Sequence, residues 1–81
     1  MKFEDAIHAC KCGGYIRDES GTMQPGWKIM FIPGQRPGGT VPRNPAKREG
    51  DFFTINPVTG SSYMVRFTDA HRASDQWRTT L

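Results

Sequence analysis

The chain has 81 residues and a formal charge of +3 at pH 7, and 36% of its residues are hydrophobic. This length favours a single domain spanning 1–81. A domain this small buries a modest share of its surface, so its nine aromatic side chains and self-association are the available sources of further burial. No apolar run approaches the ~20 residues that cross a membrane, and no signal-peptide pattern is present. We therefore expect a cytoplasmic protein with no membrane contact.

A short amphipathic helix is predicted over 3–12. Its apolar side chains recur at the i, i+3, i+4 and i+7 spacing that places them on one helical face. These residues are Phe3, Ala6, Ile7 and Cys10. Gly13 and Gly14 then end the helix, because glycine readily adopts the positive φ of a helix C-terminus.

The run from Trp27 to Ile32 is predicted to be a central strand. It is bulky on both faces and lies between Gly26 and Pro33-Gly34, which favours a strand covered on both sides. A brief strand at 15–17 precedes it. The polar stretch 18–25, with Gly21 and Pro25, is predicted to be a loop.

Residues 34–50 are predicted to form a long loop rich in proline, glycine and arginine. Prolines at this density exclude a central strand or a helix. A loop of this length in a compact domain is either functional or disordered. Its backbone N–H groups and arginines suit phosphate binding, and a solvated loop is the alternative.

Two strands at 52–55 and 61–67 are predicted to form a hairpin, since the segment 56–60 carries Asn, Pro and Gly of strong turn character. Thr68 is then the predicted N-cap of a short helix at 69–77.

The expected inner face of that helix is Ala70, Ala73 and Trp77. The order of elements predicts the α+β class: a small antiparallel β-sheet with an N-terminal helix and a short C-terminal helix.

Neither a metal site nor a catalytic site is predicted. His8, Cys10 and Cys12 lack the paired-ligand spacing of a structural zinc site. Cys12 and His71 form a formal nucleophile–base pair, but no glycine elbow or oxyanion-binding pattern accompanies them. The chain also has no Walker-type phosphate loop. We expect a protein that is not an enzyme and that requires no metal or cofactor.

Several segments resemble, in their order and spacing, a family of small phage proteins. Met1 to Ile7 is similar to the family's opening, Met-x-Phe-(Glu/Gly)-x-Ala-Leu, and Gly26 to Gly34 resembles its Gly-led hydrophobic strand ending in Pro-Gly. Phe67-Thr68 and Ala73 to Trp77 resemble its C-terminal segment, which ends in Ala-x-Asp-(x)-Trp. The family is the second Thoeris anti-defence family, whose members are sponges for cyclic ADP-ribose signals made by bacterial TIR-domain enzymes.

The resemblance implies a phage-encoded protein that acts in the host bacterial cytoplasm and blocks Thoeris immunity. It implies that a cyclic ADP-ribose isomer or related cyclic nucleotide is bound without cleavage, in pockets at the subunit interfaces of a homo-tetramer. This chain departs from the family at one point. The family often has Gly-Trp where this chain has Gly21-Thr22, and the tryptophan of this chain is instead Trp27.

The candidate ligand-binding residues combine side-chain chemistry with position in this resemblance. They are Phe3 and Trp27 for stacking or pocket shape, Arg17, Arg36 and Arg66 for phosphate contacts, and Thr68 and Asp75 for hydrogen bonds to base or ribose edges.

The alternative function is a small β-rich phage module that binds nucleic acid or a host protein, which the basic loop and the aromatic strands also suit. Of these partners, nucleic acid is the less expected. A hydrolase of the signal is a third hypothesis. Salt separates the first two, because binding of a polyanion through several arginines weakens steeply as salt rises.

Overall fold

The computed structural model describes residues 1–34, 43–44 and 47–80. The elements in chain order are α1 (Phe3–Lys11), β1 (Tyr15–Asp18), β2 (Lys28–Pro33), β3 (Gly50–Ile55), β4 (Ser62–Met64), α2 (Asp69–Ala73) and β5 (Trp77–Thr80). The strands form one antiparallel sheet in the order β4-β3-β2-β1-β5. The predicted α+β class is confirmed, and neither described helix is long and apolar enough to cross a membrane.

Helix α1 packs on one face of the sheet, which we call the helix face. The core between them consists of side chains that are at most 1% exposed: Ala6, Cys10, Ile16, Ile29 and Trp77. Phe3 and Ile7 pack against this core, which confirms the predicted apolar face of α1. Burial raises the pKa of the Cys10 thiol to about 12, whereas Cys12 at the helix end is exposed.

The predicted central strand is confirmed as β2, the middle strand of the five. Ile29 pairs with Ile16 on one side and with Thr54 on the other, so all three side chains lie on the helix face. At the far end of β2, Pro33 pairs with Gly50. A Cβ atom on Gly50 would overlap the carbonyl oxygen of Ile32, so this pairing requires glycine.

The predicted helix over 69–77 is wrong beyond its first turn. Helix α2 ends at Ala73, and Ser74 is already extended with φ −72° and ψ 136°. Residues 77–80 instead form β5, which pairs with β1 at the edge of the sheet.

Trp77 is buried as predicted, but it reaches the core from a strand. Its ring contacts Phe3 and Phe67 at centroid distances of 5.8 and 6.2 Å. Ala70 and Ala73, the other two members of the expected inner face, are exposed. Burial of the Trp77 ring and pairing of the β1 edge therefore favour a strand at 77–80 over the helix that the spacing of Ala70, Ala73 and Trp77 predicts.

The predicted hairpin is present, but its second strand, β4, covers only Ser62–Met64. Beyond it the backbone makes one more cross-strand hydrogen bond, from Val65 N–H to the Phe52 carbonyl at 2.8 Å. The loop predicted at 34–50 lies mostly outside the described residues.

The opposite side of the sheet, which we call the far face, carries a row of large apolar side chains. Met30, Phe53 and Met64 are opposite one another on three neighbouring strands. Met64 is 60% exposed and Ile32 is 44% exposed. Neither α1 nor α2 packs on this face, so apolar side chains stay exposed there in the part of the chain described here.

Candidate functional site

A cavity of about 260 Å³ opens on the helix face between the 19–27 loop and α2. We call it the Trp27 cavity. It is lined by residues 22–24, Trp27, Ile29, Thr54, Val65, Arg66 and His71. Its walls therefore come from a loop, two neighbouring strands, the segment after β4 and the short helix.

Asp18 holds the first half of the 19–27 loop in place. This carboxylate has no exposed surface. It accepts hydrogen bonds from the Ser20 backbone N–H at 3.1 Å, from the hydroxyls of Ser20 and Ser74 at 2.6 Å each, and from the Thr22 hydroxyl. Burial alone raises the pKa of Asp18, but these hydrogen bonds to the charged form outweigh it and the pKa lies below its usual value.

Arg17 holds the second half of the same loop. Its guanidinium donates to the carbonyl oxygens of Gln24 and Trp27 at 2.7 Å each, and to Glu19 at 2.8 Å. Between the two carbonyls, the Trp27 N–H donates back to Gln24 O at 3.2 Å, and Gly26 has φ +82°. Proline followed by glycine at positive φ is typical of a type II turn, which fixes where β2 begins.

Trp27 is the largest side chain of the cavity wall. It is half-buried, and its ring is near-parallel to that of Tyr63, with centroids 6.5 Å apart and planes inclined by 23°. Tyr63 therefore supports the indole from β4 and limits its rotation. A ring held in this way offers a stacking surface for a flat ligand at little cost in side-chain entropy.

Arg66 supplies the positive charge of the Trp27 cavity. Its side chain is exposed, and among the described residues it has no ion-pair or hydrogen-bond partner. Among the described residues, no side chain that lines the cavity carries a carboxylate. The cavity therefore combines an aromatic surface with an unneutralised guanidinium, which suits a flat anion.

A second cleft lies beside it at the edge of the far face, and Trp27 borders both. Arg17, Lys28 and Arg78 line this far-face cleft. Its charges are largely engaged: Lys28 lies over the Tyr15 ring at 4.0 Å, while Arg17 and Arg78 both pair with Glu19, at 2.8 and 2.9 Å. The Trp27 cavity is therefore the better candidate for an anionic ligand.

The structure brings together two of the predicted site residues, Trp27 and Arg66. Arg17 lies at the far-face cleft and anchors the loop that carries Trp27. Phe3 is half-buried in the aromatic cluster, 5.0 Å from Phe67.

Two further predicted residues, Thr68 and Asp75, do not line the Trp27 cavity. Thr68 caps α2, and Asp75 is exposed. Arg36 lies outside the described residues.

His71 lines the cavity and is not among the predicted site residues. The available signal was its place three residues after Thr68, where a side chain can complete a capping box. The anchoring role of Asp18 cannot be predicted from its local sequence, because one of its hydrogen-bond donors, Ser74, is distant in the chain.

Comparisons with protein families, with characterised proteins and with solved structures find no match to this chain. Within residues 1–34, 43–44 and 47–80, no group of three or more His, Cys, Asp and Glu side chains is placed to hold a metal ion.

Proposed function

We propose that this protein binds and sequesters a cyclic ADP-ribose-type immune signal without cleaving it, as a phage-encoded inhibitor of Thoeris immunity. The observation that carries the proposal is the pairing of Trp27 with Arg66 in one cavity. An indole stacks on adenine, and a guanidinium binds phosphate oxygens with parallel hydrogen bonds. The family resemblance of the sequence supports the same ligand class.

A sponge that competes with a host receptor has to bind its ligand tightly. A competitive sponge needs a dissociation constant of roughly 1 nM, or about 12 kcal/mol. Stacking of one base on Trp27 contributes about 1–3 kcal/mol, so most of the affinity has to come from phosphate contacts and from enclosure of the ligand.

Enclosure favours a second copy of the chain. At about 260 Å³ the Trp27 cavity is smaller than the roughly 300–1,000 Å³ that encloses a drug-sized ligand. A cyclic ADP-ribose isomer therefore projects from it, and a symmetric partner is the simplest cover. The apolar far face lies on the other side of the sheet and offers a second, separate surface for association between copies, in keeping with the tetramer that the resemblance implies.

Ligand depletion followed by release tests the proposal directly. The protein is mixed with cyclic ADP-ribose and its isomers, filtered, heat-denatured and filtered again, and both filtrates are analysed by mass spectrometry. A sponge depletes one isomer from the first filtrate and returns it intact in the second. Replacing Arg66 by Gln is expected to weaken depletion of the ligand. The matched control is Arg72→Gln, because Arg72 is an exposed residue of α2 that does not line the cavity.

Other outcomes contradict the proposal in distinct ways. Altered ligand in the second filtrate indicates a hydrolase. No depletion of any isomer rules out a sponge for these ligands. Binding that occurs with a polynucleotide instead, and that weakens steeply with salt, favours the nucleic-acid-binding alternative.

A further inference from the structure

The hydrogen bonds of the α2 cap fix the tautomer of His71. The backbone N–H of Thr68 donates to His71 Nδ1 at 3.0 Å, while the Thr68 hydroxyl accepts from the His71 backbone N–H at 3.3 Å. A backbone N–H can only donate, so Nδ1 must be the unprotonated acceptor. In the neutral imidazole the proton then sits on Nε2.

This Nε2–H donor has no protein partner among the described residues. The hydrogen bonds made by the His71 side chain all go through Nδ1 to Thr68. His71 is also one of the residues that line the Trp27 cavity, together with Arg66. A donor that is held by its other nitrogen and lacks a protein acceptor is available to a ligand.

The ring is also held from its sides. Its centroid lies 5.9 Å from those of Phe67 and Trp77, and it is nearly perpendicular to Phe67, at 88°. Trp77 further ties this segment down, because its indole N–H donates to the His71 carbonyl at 2.9 Å. The imidazole is therefore preorganised, and binding through it costs little side-chain entropy.

We propose that His71 donates its Nε2–H to a phosphate oxygen of the bound nucleotide and that, with Arg66, it makes the Trp27 cavity selective for phosphate-bearing over uncharged nucleosides. The inference rests on the proposed function and names a specificity-determining residue within it. The usual capping-box residue at this position, Glu or Gln, completes the helix cap through its carbonyl or carboxylate oxygen. Histidine completes the same cap and adds a donor on the opposite side of the ring.

Substitutions at position 71 can separate the role of His71 in the α2 cap from its role as a hydrogen-bond donor to the ligand. His71→Glu keeps an acceptor for the Thr68 N–H but has no donor, whereas His71→Gln keeps both an acceptor and a donor. Ala70→Glu, at an exposed position of the same helix, adds the same charge away from the cavity lining and is the matched control.

Titrations use the cyclic ADP-ribose isomers, ADP and adenosine as probes. His71→Glu is expected to weaken binding of the phosphate-bearing probes by roughly tenfold or more. Gln at position 71 should retain most of the affinity, and Ala70→Glu should stay within about twofold of the wild type. Adenosine, which has no phosphate, is expected to bind all four proteins equally. Imidazole ¹H–¹⁵N spectra of the wild type should show the Nε2–H tautomer and a shift of Nε2 on addition of ADP.

The outcomes distinguish this inference from the function on which it rests. If ADP binds through His71 and no cyclic isomer binds, the proposed sequestration is rejected but the role of His71 as a hydrogen-bond donor to phosphate is retained. If a cyclic isomer is sequestered and His71→Glu does not weaken that binding, the proposed function stands but the proposed hydrogen bond from His71 is overturned. An Nε2 signal that no phosphate-bearing probe shifts also overturns it, and this measurement needs no variant to fold.

Discussion

Asp18 is the one charged side chain in the described part of the chain that is fully buried. A buried carboxylate is tolerated when hydrogen bonds replace its hydration. Here three hydroxyls and a backbone N–H do so, and two of the hydroxyls belong to the loop that forms one wall of the Trp27 cavity. The same bonds that stabilise the charge therefore also order the site.

Replacing Asp18 by Asn is expected to lower the free energy of unfolding at pH 7 by about 1.5–3 kcal/mol, since one amide oxygen cannot accept all of these bonds and the amide N–H₂ faces donors. Because the folded-state pKa is lowered, the carboxylate stabilises the wild type above the unfolded pKa of about 4, and this contribution is lost as pH falls through the folded pKa. Urea unfolding from pH 7 to pH 2 measures both effects. Asp51→Asn, at an exposed strand position, is the control. An Asp18→Asn variant with the wild-type acid profile would contradict this role.

The two cysteines should differ sharply in reactivity. The thiolate is the reactive form, and burial raises the pKa of Cys10 to about 12 while Cys12 is exposed. At pH 8 a thiol reagent should therefore modify Cys12 quickly and Cys10 only as the protein unfolds. Mass spectrometry of the labelled protein with time measures this, and Cys12→Ser should remove the fast phase. Equal rates for the two thiols would show that the α1–sheet core opens readily.

At the scale of the element, α2 is a helix of five residues whose cap carries much of its order. Thr68→Ala removes the side-chain acceptor for the His71 N–H and should lower the free energy of unfolding by about 1 kcal/mol. Thr68→Ser keeps the hydroxyl and should restore most of the loss. Unchanged stability in the alanine variant would mean that tertiary packing alone holds α2.

The sequence carries enough information for α1, the central strand and the hairpin turn, because each depends on local periodicity or turn chemistry. It misleads at Trp77, where Ala70, Ala73 and Trp77 follow a helical spacing. The outcome there depends on a free edge of β1 and on an aromatic cluster, and both are created by residues distant in the sequence.

In the candidate site, too, local sequence predicts some features, whereas others depend on residues that are distant in the sequence. Trp27 and Arg66 are candidates from their chemistry and from the resemblance, and both line the same cavity. The contributions of Asp18 and His71 could not be predicted, since each depends on partners that only the fold brings together, such as Ser74 and the cavity wall.

At the scale of the whole molecule, the far face exposes the apolar side chains of Ile32 and Met64, and the proposed oligomer would bury them. A charge placed in such a contact leaves an unpaired ion away from water, which is strongly destabilising. Met64→Glu is therefore expected to lower the solution mass toward that of a monomer. Light scattering coupled to size exclusion measures this.

Val58→Glu is the control, because Val58 lies in the hairpin turn and is 89% exposed. A Met64→Glu protein of wild-type mass would place the contact between copies elsewhere, and a monomeric wild type would contradict the oligomer altogether.

The positions of the two tryptophans give the protein a built-in pair of optical probes. Trp77 is 1% exposed inside the aromatic cluster, so its emission reports on the integrity of the core. Trp27 lies between the Trp27 cavity and the far-face cleft, so a soluble quencher reaches it first, and a ligand that stacks on it should shield it. Fluorescence of the unlabelled chain can therefore follow occupancy and unfolding as separate signals in one sample.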